Sequence, residues 1–187
     1  MKNQLRPALT LLALLTIITG VIYPLTVTGI AQVIFPHQAN GSLIVIDSKT
    51  YGSKLIGQQF DDPIYFWGRP SATGYSAAAS SGSNLGPMNP SLEEAVQARI
   101  EALHAADPNN PLPIPVDLVT ASASGLDPHI SAASALYQVS RVASARGLSE
   151  AEVTSLVGIY NEDRQFGIFG EPRVNVLSLN LALDGIQ

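Results

Sequence analysis

The chain has 187 residues, with 15 acidic and 10 basic side chains and a formal net charge of −5. Because it is acidic and only 13% of its residues are charged, it is a poor candidate for binding nucleic acid through phosphates. It contains no cysteine, which excludes disulfides, thiolate zinc sites and cysteine nucleophiles. The mean hydropathy of +0.21 is high for a globular protein, and the excess is concentrated near the N-terminus.

A long apolar segment covers residues 8–35, and no Asp, Glu, Lys or Arg occurs between Arg6 and Asp47. About 26 of these residues in a helix measure roughly 39 Å, enough to cross a hydrocarbon core of about 30 Å. A secretory signal peptide is the alternative, since residues 29–31 offer a weak cleavage site. The apolar region of a signal peptide is only about 7–15 residues long, so the length favours a membrane anchor.

The flanking charges predict the orientation of this anchor. Lys2 and Arg6 precede it, so the positive-inside rule places a tail of residues 1–7 in the cytoplasm. Residues 36–187 would then form an extracytoplasmic domain with 8 basic and 15 acidic side chains. The remaining sequence has no second apolar segment of sufficient length, which predicts a single-pass membrane protein.

Small and hydroxyl residues recur at three- and four-residue spacing along the predicted span, at Thr16, Thr19, Gly20, Tyr23, Thr26 and Gly29, and the first four of these are the candidate partner face. They mark either a plain anchor whose threonines bond to their own helix, or a face that packs against a partner helix. Since the segment has no ionisable side chain, it cannot by itself form an ion path. Pro24 should kink the helix by freeing the Gly20 carbonyl.

Beyond the span, residues 43–46 predict a first strand, and residues 51–90 predict a long irregular stretch rich in Gly, Ser, Ala, Asn and Pro. A capping box at Ser91 and Glu94 predicts the start of a helix. Its apolar face would comprise Leu92, Val96, Ile100 and Leu103. The four prolines within residues 107–115 should end that helix.

A second helix is expected to begin at Asp127 and Pro128 and to end near Gly147. Its inward stripe would comprise Ile130, Ala133, Leu136, Val139 and Ala143. A capping box at Ser149 and Glu152 predicts a third helix. Its buried side chains would be Val153, Leu156, Val157 and Tyr160.

Two further strands are predicted at residues 116–120 and 174–183. The second rests on leucines at 177, 179, 181 and 183 that alternate with other residues. The predicted fold is therefore a single N-terminal transmembrane helix followed by a mixed α/β (α+β) extracytoplasmic domain.

The close spacing of Ser122, Ser124, Asp127 and His129 raises the alternative of a membrane-anchored periplasmic serine hydrolase. Catalytic triads are assembled in space, however, and the G-x-S-x-G elbow is absent. Asp127 has a sufficient role as a helix cap, and the free N–H groups of that helix start could instead bind a partner. The histidines have no metal-binding spacing, and the sequence has no phosphate-binding P-loop. We therefore assign no catalytic residue, metal site or bound cofactor to this chain.

Three consecutive aromatic residues, at positions 65–67, precede Arg69. This composition is typical of either the edge of a core strand or an interface anchor, because Tyr, Trp and Arg are common at binding hot spots. Both alternatives remain open from the residues alone.

Several blocks resemble a known family. They are L-R-P-A-L at 5–9, Q-A-N-G-S-L-I at 38–44, L-I-G-Q-x-F at 55–60, G-R-P-S-A at 68–72, S-G-S-N-L-G-P-x-N-P at 81–90, V-D-L-V-T-A-S-A-S-G-L-D-P-H-I-S at 116–131 and G-E-P-R-V-N-V-L-x-L-N-L-A-L-D at 170–184. Together they resemble the C subunit (KdpC) of the bacterial Kdp-type potassium-transporting ATPase. Trp67 stands where the family resemblance leads us to expect His, which argues against a proton or metal role at that position.

The resemblance implies a non-catalytic accessory subunit of a high-affinity potassium uptake complex in the bacterial inner membrane. Its partners would be a channel-like potassium-binding subunit, a P-type ATP-hydrolysing subunit and the lipid bilayer, with ATP and potassium handled by the complex. The family is also described as a catalytic chaperone that raises the ATP affinity of the pump subunit. Because the predicted topology separates the outer domain from cytoplasmic ATP, we expect that effect to be indirect.

Candidate interface or binding residues fall in the turns of these blocks. They are Trp67, Arg69, Ser71, Ser83, Asn84, Asn89, Ser122, Ser124, Asp127 and His129.

Overall fold

The computed structural model describes residues 2–185, which divide into two compact units on either side of the bond between Leu43 and Ile44. The N-terminal unit is largely helical. It contains α1 (Lys2–Ile17), a π-helical turn (Ile18–Ile22), α2 (Tyr23–Ile34) and the short α3 (Pro36–Ala39). A stretch of 31 residues, Gln4–Ile34, is long and apolar enough to cross a membrane, with a mean hydropathy of 2.1. The helix also covers residues 2–7 of the predicted tail, while Met1 lies outside the described residues.

The π-helical turn lies directly before Pro24, where the sequence predicts a kink. Pro24 has no N–H to donate to the Gly20 carbonyl, and the N–H of Tyr23 donates to the Ile18 carbonyl, five residues back. A π-turn holds one residue more than an α-turn, so Tyr23 is rotated about 100° relative to an unbroken helix. The four residues of the candidate partner face therefore cover a wider arc around the helix than their spacing in the sequence implies.

The C-terminal unit begins with a hairpin of β1 (Leu43–Ile46) and β2 (Lys49–Ser53), of which only Leu43 belongs to the N-terminal unit. The predicted strand at 43–46 is confirmed, whereas β2 was not predicted. Residues 54–89 then contain no helix or strand, as the composition of this stretch indicates.

Helix α4 (Pro90–Ala106) starts two residues earlier than predicted. Its N-cap is Asn89, whose side chain accepts a hydrogen bond from the Ser91 N–H, with Pro90 at the first helical position. The predicted capping box at Ser91 is therefore wrong, because Asn89 and Pro90 already supply the preferred N-cap and N1 residues. The predicted apolar face is confirmed: Leu103 is buried, and the other three residues are half-buried.

The block at 116–131 differs most from expectation. Residues Val116–Leu118 form a 3₁₀ turn rather than a strand. Residues His129–Ser131 form β3 rather than the start of a helix, because Ile130 lies opposite Val174 in an antiparallel pair. Helix α5 (Ala132–Tyr137) begins after Ser131, whose hydroxyl accepts from the Ser134 N–H.

Helix α6 (Val139–Arg146) follows directly and ends at Gly147, which has the expected left-handed φ of 67°. The predicted inward stripe is wrong at Ala133 and Leu136, which are exposed. The β3 strand ahead of α5 changes which helical face meets the core. That face now carries polar as well as apolar residues, among them Ser134 and Gln138.

Helix α7 (Glu150–Ile159) has the predicted capping box, in which the Ser149 hydroxyl accepts from the Glu152 N–H and the Glu152 carboxylate accepts from the Ser149 N–H. Val153 and Val157 are buried, and Leu156 and Tyr160 are half-buried, as expected. The start of this helix is therefore encoded locally.

The last segment contains β4 (Asn161–Glu162), β5 (Arg173–Asn175) and α8 (Val176–Leu183). The strands form an antiparallel sheet in the order β3-β5-β4. The predicted strand over 174–183 is wrong beyond Asn175, whose side chain caps α8 by accepting from the Ser178 N–H. Helix α8 is buried on most sides, which removes the one-sided pattern that normally distinguishes a helix from a strand.

Candidate functional site

Residues 63–70, here called the central segment, cross the core of the C-terminal unit without forming a helix or strand. Phe66 is fully buried and Trp67 is 6% exposed. Buried backbone groups need hydrogen-bond partners, and side chains from distant parts of the chain supply them.

Two buried amide side chains hold the middle of the central segment. Asn180 accepts from the Phe66 N–H at 2.9 Å and donates to the Phe66 carbonyl at 3.0 Å. Gln138 does the same for Trp67, at 2.8 Å and 3.1 Å. Each amide thus replaces a neighbouring strand, because it satisfies both backbone groups of one residue.

Three arginines donate hydrogen bonds to four other carbonyl groups of the central segment. Arg141 donates to the Pro63 and Tyr65 carbonyls, Arg146 to the Ile64 carbonyl, and Arg99 to the Gly68 carbonyl. These contacts anchor both ends of the aromatic run.

The indole ring of Trp67 contacts two of these guanidinium groups. Arg141 lies 4.3 Å and Arg99 5.1 Å from the ring centroid, within the range of cation–π attraction. Burial lowers the pKa of Arg141 to about 10 and also lowers that of Arg99. Of the two alternatives for the aromatic run, the position of Trp67 favours a core role.

A second cluster joins two of the sequence blocks, and we call it the junction (residues 69–71 with residues 121–129). Arg69 pairs with Asp127 at 3.3 Å, and the Ser71 hydroxyl donates to the Gly125 carbonyl at 2.6 Å. The Ser122 N–H donates to the Pro70 carbonyl at 3.1 Å. The junction therefore contains six of the ten candidate residues. They are Arg69, Ser71, Ser122, Ser124, Asp127 and His129.

Gly125 is required at the centre of the junction. Its φ is +67°, and a Cβ there would lie 2.5 Å from the Thr73 hydroxyl and 2.7 Å from the Ser81 carbonyl. A side chain would therefore be strained and would clash with its neighbours.

Asp127 is the electrostatic centre of the junction. Burial raises the pKa of its carboxyl group, but hydrogen bonds from His129 and the charge of Arg69 outweigh this effect, so the net pKa lies below its ordinary value. The same carboxylate accepts from the His129 N–H at 3.0 Å, in a local turn that precedes β3. The sequence predicts Asp127 as the N-cap of a helix, and this prediction is wrong. Asp127 instead organises the backbone of the turn at this point.

The serine residues do not form a nucleophile–base pair with His129 in the part of the chain that the structure describes. Ser122 is 3% exposed, and the hydroxyl of Ser124 accepts from the Leu126 N–H. Within residues 2–185, no group of three His, Asp or Glu side chains is placed to hold a metal ion. The junction can therefore position backbone and charge, but its described geometry does not activate a nucleophile.

The other candidate residues lie on the surface. Ser83, Asn84 and Asn89 are exposed, and the hydrogen bonds of Asn84 and Asn89 are local. Thr16, Thr19, Gly20 and Tyr23 are exposed on the N-terminal helix, where the Thr19 hydroxyl bonds back to the Leu15 carbonyl. The candidate partner face of the helix is therefore exposed.

Gln138, Arg141 and Asn180 are the important residues that sequence analysis missed. Each is a polar residue at a core-facing position in or between the helices, and each is at most 5% exposed. Polar side chains at core positions are the signal that could have identified them.

Comparison with known proteins covers both units of the chain. A sequence model of KdpC, described as "K+-transporting ATPase, c chain", matches residues 5–185. A potassium-transporting ATPase KdpC subunit of Dechloromonas aromatica (strain RCB) is 66% identical over 190 aligned residues, with 100% of both chains covered. The subunits of the same name from Herpetosiphon aurantiacus and Sorangium cellulosum are 65% and 64% identical, with 100% of this chain and 98% and 100% of theirs covered. The chain therefore belongs to the KdpC family, the c chain of K⁺-transporting ATPases.

Proposed function

We propose that this chain is a non-catalytic accessory subunit of a high-affinity, ATP-driven potassium uptake complex, in which it stabilises assembly. The observation that carries the proposal is the match to KdpC subunits over the full length of both chains. The described geometry supports it, because the motif residues 69–71 and 121–129 form a junction that positions backbone and charge without pairing a serine with His129.

In this proposal the N-terminal helix crosses the bacterial inner membrane with its N-terminus in the cytoplasm, and the C-terminal unit lies outside. Lys2 and Arg6 support that orientation. The helix packs against the channel-like potassium-binding subunit, and the complex also contains the P-type ATP-hydrolysing subunit.

The chain acts on ATP binding without contacting the nucleotide. Because the proposed topology separates the C-terminal unit from cytoplasmic ATP, the chaperone effect passes through the membrane helix. A subunit that binds one conformation of its partner more tightly shifts the partner toward that conformation, and this changes its ATP affinity.

A growth experiment separates this function from that of a serine hydrolase. A strain lacking the gene is complemented with the wild-type chain or with the double variant Ser122→Ala, Ser124→Ala, and grown at limiting potassium. We expect normal growth from both, since neither hydroxyl pairs with His129 in the described contacts. Loss of growth with an unchanged amount of assembled complex would contradict a purely accessory role.

A further inference from the structure

An apolar loop projects from the C-terminal unit between β4 and β5. Phe166 is 91% exposed, Ile168 is 72% exposed and Phe169 is 63% exposed. We call residues 166–169 the apolar tip. No charged residue lies between Arg164 and Glu171, so the tip is uncharged as well as exposed.

The apolar tip is a formed hairpin. Gln165 and Phe169 exchange both backbone hydrogen bonds at 2.9 Å, and the Ile168 N–H donates to the Gln165 carbonyl at 3.1 Å. An ion pair between Arg164 and Glu171 closes its base. The backbone is therefore satisfied within the loop, while the apolar side chains contact solvent.

The turn places a large aromatic residue where Gly or Asn is usual. Phe166 and Gly167 have φ values of 53° and 72°, the combination that a type I′ turn requires. A bulky side chain at positive φ is strained, and an exposed apolar cluster gains nothing from burial within this chain. Both features are costs to the isolated fold, which indicates that the tip contacts something else.

A short connection tethers the C-terminal unit to the proposed membrane anchor. Ile44 begins the C-terminal unit only ten residues after Ile34 ends the apolar helix, so the chain joining them extends at most about 35 Å. An uncharged tip with two aromatic rings has the composition that favours the membrane–water interface. Residues 36–187 are acidic overall, so their net charge does not attract them to anionic lipid headgroups. Burial of the apolar side chains of the tip is therefore the favourable contribution to membrane binding.

We propose that the apolar tip inserts into the membrane–water interface. The tip then gives the C-terminal unit an attachment to the membrane in addition to the anchor helix that precedes it in the chain.

Fluorescence quenching by brominated lipid tests this contact directly. The full-length variant Phe166→Trp is placed in phosphatidylcholine nanodiscs with and without brominated acyl chains. The chain's single tryptophan, Trp67, is buried, so the wild type supplies the background signal. Met88→Trp is the matched control, because Met88 is 92% exposed on another loop. We expect about twofold quenching of Phe166→Trp and little quenching of Met88→Trp.

A second variant separates insertion from other causes. Adding Ile168→Asp to Phe166→Trp should reduce the lipid quenching to the level of the Met88→Trp control, because a charge opposes insertion. Folding is checked by the emission of Trp67 in the Ile168→Asp single variant.

Two results would overturn the proposal. In one, the tip is quenched by aqueous acrylamide as fully as the control and is not quenched by brominated lipid. In the other, acrylamide protection appears only in the assembled complex and without lipid quenching, which would assign the tip to a partner subunit.

Discussion

At the scale of single residues, Gln138 is important for the stability of the core. It is 1% exposed, and it binds both backbone groups of Trp67 as well as the guanidinium group of Arg141. A buried polar group that loses its partner retains its desolvation cost without compensation. The stability of the C-terminal unit should therefore be sensitive to this amide.

We predict that Gln138→Leu lowers the free energy of unfolding of the C-terminal unit by about 3 kcal/mol, because two backbone groups lose their partner. Urea unfolding of the full chain in detergent, followed by Trp67 fluorescence, measures the change. The control is Gln97→Leu on the exposed side of α4, for which the loss should stay below about 0.5 kcal/mol. Equal losses in the two variants would show that the amide contacts are not stabilising.

Asp127 predicts a specific pH dependence. Its pKa is lower in the folded chain than the ordinary 3.8, so its ionised form stabilises the fold above about pH 4. That contribution is lost as the pH falls through the folded pKa. Asp127→Asn should cost about 1 kcal/mol at pH 7 and nothing once the wild-type carboxyl is protonated.

Unfolding measurements at several pH values between 7 and about 3 test this expectation, with the exposed Asp163→Asn as control. A stability difference for Asp127→Asn that does not change with pH would assign its effect to packing rather than to charge.

At the scale of secondary-structure elements, the ends of helices show which signals are local. The start of α7 was predictable because Ser149 and Glu152 lie three residues apart and need no distant partner. The start of α8 was not predictable from alternation, because its leucines face the core on several sides. The hydrogen bonding of the central segment could not be predicted either, since the partner of Phe66 lies 114 residues further along the chain.

The junction shows how far the sequence could define the candidate site. The motifs at 68–72 and 116–131 contact each other in the structure, but spacing alone could not show that Arg69 would meet Asp127. The helix expected at Asp127 was displaced by pairing between Ile130 and Val174, which is a tertiary contact.

Two asparagine caps provide a test at this scale. Asn175 is buried, caps α8 and donates to the Lys54 carbonyl at 2.9 Å, whereas Asn89 caps α4 at the surface. We predict that Asn175→Ala costs about 2–3 kcal/mol and Asn89→Ala about 1 kcal/mol. The same urea titration measures both variants. A larger cost for Asn89→Ala would contradict the role given to Asn175 in joining Lys54, β5 and α8.

At the scale of the whole molecule, the predicted orientation can be tested because the chain lacks cysteine. Met88→Cys introduces one exposed thiol in the C-terminal unit. A membrane-impermeant maleimide should label it once the outer membrane is permeabilised and the inner membrane is intact. Labelling that requires disruption of the inner membrane would reverse the proposed topology.

Assembly depends, in this account, on the side of the N-terminal helix that carries Thr16, Thr19, Gly20 and Tyr23. Apart from the adjoining backbone of its own helix, a Cβ added at Gly20 or at Gly29 meets no described atom within 4 Å. Leucine at either position is therefore tolerated by the chain itself. Gly29 lies six residues beyond Tyr23 and about 120° away from it around the helix, which makes it a matched control.

The most direct test is the amount of the channel-like and P-type subunits that co-purifies with the tagged chain from membranes. We predict at least about a fivefold lower yield with Gly20→Leu, equivalent to roughly 1 kcal/mol of lost packing, and a wild-type yield with Gly29→Leu. Equal yields from the wild type and both variants would contradict docking through this helix face.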